Sequence, residues 1–233
     1  MKFAIITHVI HGKESGNYFG YEPYVREMNL WIKNVSEVII VAPLDSSCKS
    51  QIQKFYQHEK ITFVPVANFD ISSFKNSLHS LIVMPSIVWK IYQTMKRAEH
   101  IHLRSPGNIG LLGCLVQVLF PSKPKTAKYA GNWDPKSKQP LTYKLQKFIL
   151  SSTFLTKKMQ VLVYGEWKGS TKNIKPFFTA SYHESDKVPF DFLKKQKEIQ
   201  NKNQSTRFLF VGTLSKGKQP LYAVQLIEQL QHL

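Results

Sequence analysis

The sequence predicts an α/β fold built on a parallel, doubly wound sheet, and three observations carry that expectation. Short apolar runs alternate with longer amphipathic stretches, the βαβα order of strands joined by helical crossovers. The runs are near-continuous in apolar residues, as in Val38–Val41, which suits strands buried on both faces. An apolar fraction of 42%, with aromatics at 12%, provides for a packed core.

Each element follows in order. Phe3–Thr7 reads as the first strand. Pro23 opens a helix to about Lys33, because a proline in the first turn forfeits only an N–H that would be unpaired anyway. Val38–Val41 and Ile61–Val64 are the second and third strands. Ser72 and Ser73 can cap a helical stretch to about Arg97, in which Pro85 predicts a kink or two shorter helices. Ile101–Leu103 is the fourth strand, Gly107–Phe120 an apolar helix and Thr126–Tyr129 the fifth strand. Leu141–Ser151 is helical, Gln160–Tyr164 is the sixth strand and Ile174–Phe178 a seventh. Residues 193–206 are polar and charged, the composition of a domain boundary. Arg207–Val211 is then a strand and Gly212 a turn. Leu221, Val224, Ile227 and Leu230 give a final helix, from Pro220, one apolar face. The expected division is a first domain over 1–182, a connection over 183–206 and the first strand–helix unit of a second domain over 207–233. One such unit cannot bury its own apolar faces, so the sequence is expected to be the first part of a longer protein.

Charge is the outlying property. Thirty-two Lys and Arg face fifteen Asp and Glu, a formal net of +17. Such a surface suits a polyanionic partner: an anionic membrane, a phosphorylated ligand or a nucleic acid. Only Arg26, Arg97, Arg104 and Arg207 are arginines. Bidentate base readout leans on arginine, so nucleic acid ranks last, behind an anionic membrane surface and behind charge that serves solubility alone. The longest apolar stretch, Ile109–Phe120, is well short of the roughly 20 residues of a membrane span. No signal peptide is legible at the N-terminus. Cys48 and Cys114 form no disulfide framework and no zinc spacing. The expected location is therefore cytoplasmic, with peripheral attachment to the inner face of the cell membrane as the use of the charge.

Four loops should meet at the carboxyl edge of such a sheet, where ligands of open α/β folds bind. The first runs from His8 and His11 through Gly12 and Gly16 to Gly20, glycines that would let the backbone approach a ligand. Its spacing is not the dinucleotide fingerprint. The second is Arg104-Ser-Pro-Gly-Asn108, where Arg104 could hold a phosphate or sugar hydroxyls at a helix start. Equally, Ser105 and Asn108 could simply cap that helix while Arg104 pairs with a carboxylate. The third carries Asn132 and Trp133, a polar amide beside a ring on which a sugar could stack, or a core tryptophan closing a loop. In the fourth, Glu166 could touch an acceptor hydroxyl or be an ordinary surface carboxylate. Gly212, Thr213 and Lys218 form a separate candidate, a glycine turn with an ammonium that could cradle a phosphate. No nucleophilic triad, metal-ligand spacing or phosphate-binding P-loop is present.

The segment Phe208-Leu-Phe-Val-Gly-Thr-Leu-Ser-Lys-Gly-Lys218 resembles the opening of the C-terminal domain in GT-B glycosyltransferases of family 4. That opening reads strand, Val-Gly-Arg-Leu, three loop residues, then Lys. Lys218 falls on the Lys position, while Thr213 stands where the family has its arginine. The stretch His8–Trp31 resembles the glycine-bearing first loop and following helix of the Rossmann-like acceptor domain in this family, and Lys128–Trp133 is similar to a segment of one bacterial branch. The resemblance implies transfer of a sugar from a nucleotide-sugar donor to a glycan or lipid-linked acceptor, with retention at the anomeric carbon. It implies a role in surface polysaccharide or glycolipid synthesis and no cofactor or metal. The first domain would then hold the acceptor, at His8, His11, Gly12, Gly16, Arg104, Asn108, Asn132, Trp133 and Glu166. Gly212, Thr213 and Lys218 would hold the donor phosphates. Most of the donor site would lie beyond residue 233, leaving this chain inactive alone. A non-catalytic Rossmann-like binding protein with a basic surface is the alternative.

Overall fold

The structure, a computed structural model, describes residues 1–45, 50–68, 74–178, 187–191, 194, 208–212, 214 and 218–230, with backbone alone for 74–81. The chain divides into two compact units, Met1–Ser181 and Tyr182–Leu233.

The first unit is an α/β layer structure around a seven-stranded sheet. In chain order it comprises β1 (Lys2–Ile6), β2 (His11–Glu14), β3 (Asn17–Tyr21), α1 (Glu22–Ile32), β4 (Glu37–Pro43), β5 (Gln53–Phe55) and β6 (Ile61–Val66). Then come α2 (Phe74–Arg97), β7 (His100–Ser105), α3 (Asn108–Val116), β8 (Lys125–Tyr129), α4 (Leu141–Ser151), β9 (Met159–Val163) and β10 (Ile174–Pro176). The large sheet has the order β10-β9-β8-β7-β1-β4-β6, and every adjacent pair in it is parallel. The order reverses between β1 and β7, the doubly wound, Rossmann-like arrangement.

Alternation along β1 builds the two layers. Phe3 and Ile5 face α1, packing with Tyr24, Val25, Met28 and Ile32. Ala4 and Ile6 face the other layer, where Ile87, Ile91 and Met95 of α2 join Ile109 and Leu112 of α3 and Ile149 of α4. Helices thus cover both faces, as the periodicity requires.

Three elements differ from expectation. The stretch around Pro85 is one continuous helix. This answers the alternative of two shorter helices, and Ile87, Ile91 and Met95 of the half after the proline are buried against the sheet. Residues 11–21 are an antiparallel hairpin, extended by β5 into a second, three-stranded sheet. Ser15 (φ 48°) and Gly16 (φ 83°) form its two-residue turn, the positive-φ pair that a tight hairpin demands. Phe208–Val211 is not a strand among the described residues and is exposed, because no neighbouring strand completes its ladder. Ser72, Ser73, Cys48, most of 193–206 and Arg207 lie outside the described residues. The final helix spans Pro220–Leu230 and has no buried residue.

Lysines close helix ends inside the fold. Lys123 Nζ donates to the carbonyls of Met95, Lys96 and Ala98 at the end of α2. Lys125 Nζ donates to those of Phe120 (2.9 Å) and Gln117 (3.3 Å), and burial lowers its pKa to about 8. Orphan helix carbonyls need such donors. Part of the lysine excess is therefore structural.

Candidate functional site

Where strand order reverses, the flanking loops diverge and leave a crevice at the carboxyl edge of the sheet. Here that edge lies beyond β1 and β7, where the segments 7–8 and 104–108 meet.

Glycine makes that convergence sterically feasible. A Cβ on Gly107 would lie 2.5 Å from Nδ1 of His8, so the imidazole rests directly on the backbone at the start of α3. A Cβ on Gly110 would lie 2.6 Å from the Arg104 carbonyl oxygen, and one on Gly113 3.0 Å from Leu103. These three glycines, three residues apart, let the first half of α3 sit closer to β1 and β7 than any side chain would allow. The Gly107 amide donates to Oε1 of Gln146, a fully buried residue of α4 (3.3 Å). The α3 N-terminus, with its partial positive charge, is thereby held at the crevice.

Beneath it lies a buried ionic cluster. Nζ of Lys128 on β8 donates to Oε2 of Glu27 on α1 at 2.6 Å, and Nη1 of Arg104 on β7 lies 3.6 Å from the same oxygen. The side chains of Lys128, Glu27 and Arg104 are 1%, 5% and 14% exposed. Lys128 also sits over the rings of Tyr164 and Phe177, and the Arg104 guanidinium over Tyr24. Two cations thus meet at one carboxylate beside the α3 N-terminus. Arg104 Nη1 has no hydrogen-bond partner among the described residues, and an unsatisfied donor of this kind costs about 1–3 kcal/mol. His8 retains an exposed edge. Burial of its other side, then the charge of Arg104, lowers its pKa, with the Arg104 backbone opposing. The ring is neutral at pH 7 and can donate from one nitrogen while accepting at the other. The arrangement can hold an anionic or hydroxyl-rich group.

The other expected residues are placed differently. His11 does not face the crevice. Its Nδ1–H donates to the Val9 carbonyl (2.7 Å), its Nε2 pairs with the Tyr56 hydroxyl (2.8 Å), and burial lowers its pKa to about 4. Gly12 and Gly16 belong to the hairpin: a Cβ on Gly12 would enter the Phe19 ring, and Gly16 supplies the turn. Asn108 is the first residue of α3, but Gly107 occupies its N-cap, without a side-chain cap. Ser105, the other expected cap, is buried against Cys114, whose thiol burial pushes up to about 12. Asn132 is exposed and accepts the Asp134 amide in a local turn (2.8 Å). Trp133 is a core residue, edge-on to Tyr129, with Lys147 over its ring. It also borders a cleft of about 330 Å³ lined by Phe148, Trp167 and Lys168. Glu166 is exposed on the turn after β9. Gly212 and Lys218 adjoin one another, a Cβ on the glycine lying 4.0 Å from the lysine Cγ, while Thr213 is outside the described residues.

Glu27, Lys128 and Gln146 were not among the expected site residues. One sequence signal existed for Lys128: a lysine in the middle of a strand buried on both faces must be paired. Among the described residues no group of three His, Cys, Asp or Glu could hold a metal ion, and no helix is long and apolar enough to cross a membrane. Comparison with protein-family models and with curated proteins gave no match.

Proposed function

We propose that this chain is the acceptor-side portion of a retaining glycosyltransferase that uses a nucleotide-sugar donor and acts in surface polysaccharide or glycolipid synthesis. The observation that carries the reading is the Arg104–Glu27–Lys128 cluster beside His8 and the α3 N-terminus at the switch point. The Arg104 guanidinium, a helix N-terminus and a neutral imidazole suit a phosphate or the hydroxyls of a sugar. The Val211-Gly212-Thr213-Leu214 segment with Lys218 supports a donor-phosphate contact in the second unit. In this reading Arg104 orients the acceptor, and His8 accepts a hydrogen bond from one of its hydroxyls. Catalysis rests on positioning and on stabilising the departing diphosphate.

The test is calorimetric titration of the 233-residue chain with sugar phosphates and polyprenyl-phosphate analogues. Arg104→Gln is expected to weaken binding by about tenfold or more, in line with a charge-assisted hydrogen bond of about 1.5–3 kcal/mol. Equal affinity of Arg104→Gln and the parent would remove the crevice from the reading. UDP- and GDP-sugars are expected to show no micromolar binding here, since Gly212 and Lys218 offer one cation and a few amides against the roughly 8 kcal/mol required.

A further inference from the structure

We infer that the outer face of α4 is a docking surface for an anionic lipid bilayer, an inference independent of the glycosyltransferase reading. Leu141, Leu145 and Phe148 recur at i, i+4 and i+7 on α4, and Phe154 follows the helix. They are 82%, 44%, 68% and 76% exposed. The inner face of the same helix buries Gln146, Ile149 and Leu150 against the core, so folding does not need the outer residues. Leu115 and Leu119 are exposed on the neighbouring α3 and the 3₁₀ turn that follows it. Exposed apolar side chains gathered on one helix face mark an interaction site.

Charge decides the occupant. Residues 134–172 contain eight lysines against two carboxylates, Asp134 and Glu166. Lys144 is exposed on α4 itself, and Lys157 and Lys158 are exposed just beyond it. Lys157 lies over the Phe154 ring, 5.4 Å from its centroid, so cation and apolar group form one unit. Leucine and phenylalanine flanked by lysine are the composition of helices that lie in a membrane interface, their apolar side among the acyl chains and their ammonium groups at the phosphates. A second copy of the chain is disfavoured, because a two-fold interface would bring this lysine-rich face against itself. Nucleic acid would leave the leucines and phenylalanines unused.

The test is co-sedimentation of the full chain with vesicles of phosphatidylcholine alone or with 30% phosphatidylglycerol, at 50 and 300 mM NaCl. Binding is expected to the anionic vesicles only, and to fall at high salt. Lys157→Gln with Lys158→Gln is expected to weaken it roughly thirtyfold, about fivefold per lysine. Leu145→Ser with Phe148→Ser is expected to weaken it at least tenfold, with circular dichroism and melting temperature unchanged. Leu30→Ser, an exposed position on α1, is the control and should bind as the parent does. Equal partition into pure phosphatidylcholine would overturn the inference. So would parental binding by both paired variants, or a concentration-dependent dimer in sedimentation that the serine pair abolishes.

Discussion

Acid should unfold the first unit through two buried imidazoles before its carboxylates protonate. His11 has both ring nitrogens occupied in the neutral form, and burial lowers its pKa to about 4. His102 is packed between Phe3 and Trp31, its Nδ1 on Thr126 (2.9 Å) and its Nε2 without a hydrogen-bond partner among the described residues. Burial first, then the charges of Arg104, His100 and Lys128, lower its pKa to about 3. The unfolded chain takes up these protons near pH 6.5 and the native state does not, so stability is complete above about 6.5 and falls as pH drops toward 4 and 3. Between pH 7.5 and pH 5 each ring is expected to remove about 2 kcal/mol, together about 4 kcal/mol, from a total of roughly 5–15. His8 and His100 shift in the same direction and add to the loss. With a urea slope of about 2 kcal/mol/M, the unfolding midpoint should fall by about 2 M. All four tryptophans, Trp31, Trp89, Trp133 and Trp167, lie in the first unit, so their fluorescence reports its unfolding. His102→Leu should recover about half of the difference between the two pH values. A midpoint shift below about 0.5 M, or a shift of full size in His102→Leu, would refute the reasoning.

Two further outcomes are expected. Lys128→Met should destabilise the protein by about 3–5 kcal/mol, because the buried Glu27 would lose its 2.6 Å hydrogen bond from that ammonium, and adding Glu27→Gln should restore most of the loss; additive losses in urea titrations would show that the two are not coupled. Gly110→Ala should cost at least about 1–3 kcal/mol, since its Cβ meets the Arg104 carbonyl at 2.6 Å, whereas Gly16→Ala, with open space around it, should cost only the roughly 1–2 kcal/mol of its positive φ; equal melting temperatures for Gly110→Ala and the parent would disprove the close approach.

Hydrophobic periodicity determined the layer order of the first unit. Runs such as Val38–Val41, with apolar residues on both sides, belong in a parallel sheet and nowhere else. The elements read from them, with Leu141–Ser151 matching end to end, differ mainly at their termini, where a strand extends as far as its neighbour offers a ladder. The glycines of the first loop were legible as a departure from ordinary backbone, but not as a turn. Only the pairing of His11 with Gly20 and of Gly12 with Phe19 makes them a hairpin, and such non-local pairing has no local signature. The site divides in the same way. Arg104 and His8 could be placed at the carboxyl edge from strand ends alone, because strand direction fixes which loops share an edge. Glu27 and Lys128 stand 101 residues apart in the chain and meet at 2.6 Å. Their partnership depends on α1 crossing the sheet face opposite β8, a consequence of packing that no residue spacing encodes. His11 shows the converse: a polar residue near a strand end reads as site-facing, and only its burial against Tyr56 and the Val9 carbonyl turns it inward. Sequence therefore decided which residues form the sheet and its edges. Tertiary structure decided which charged groups face one another, because long-range electrostatic partners are chosen by geometry after the apolar layers have closed.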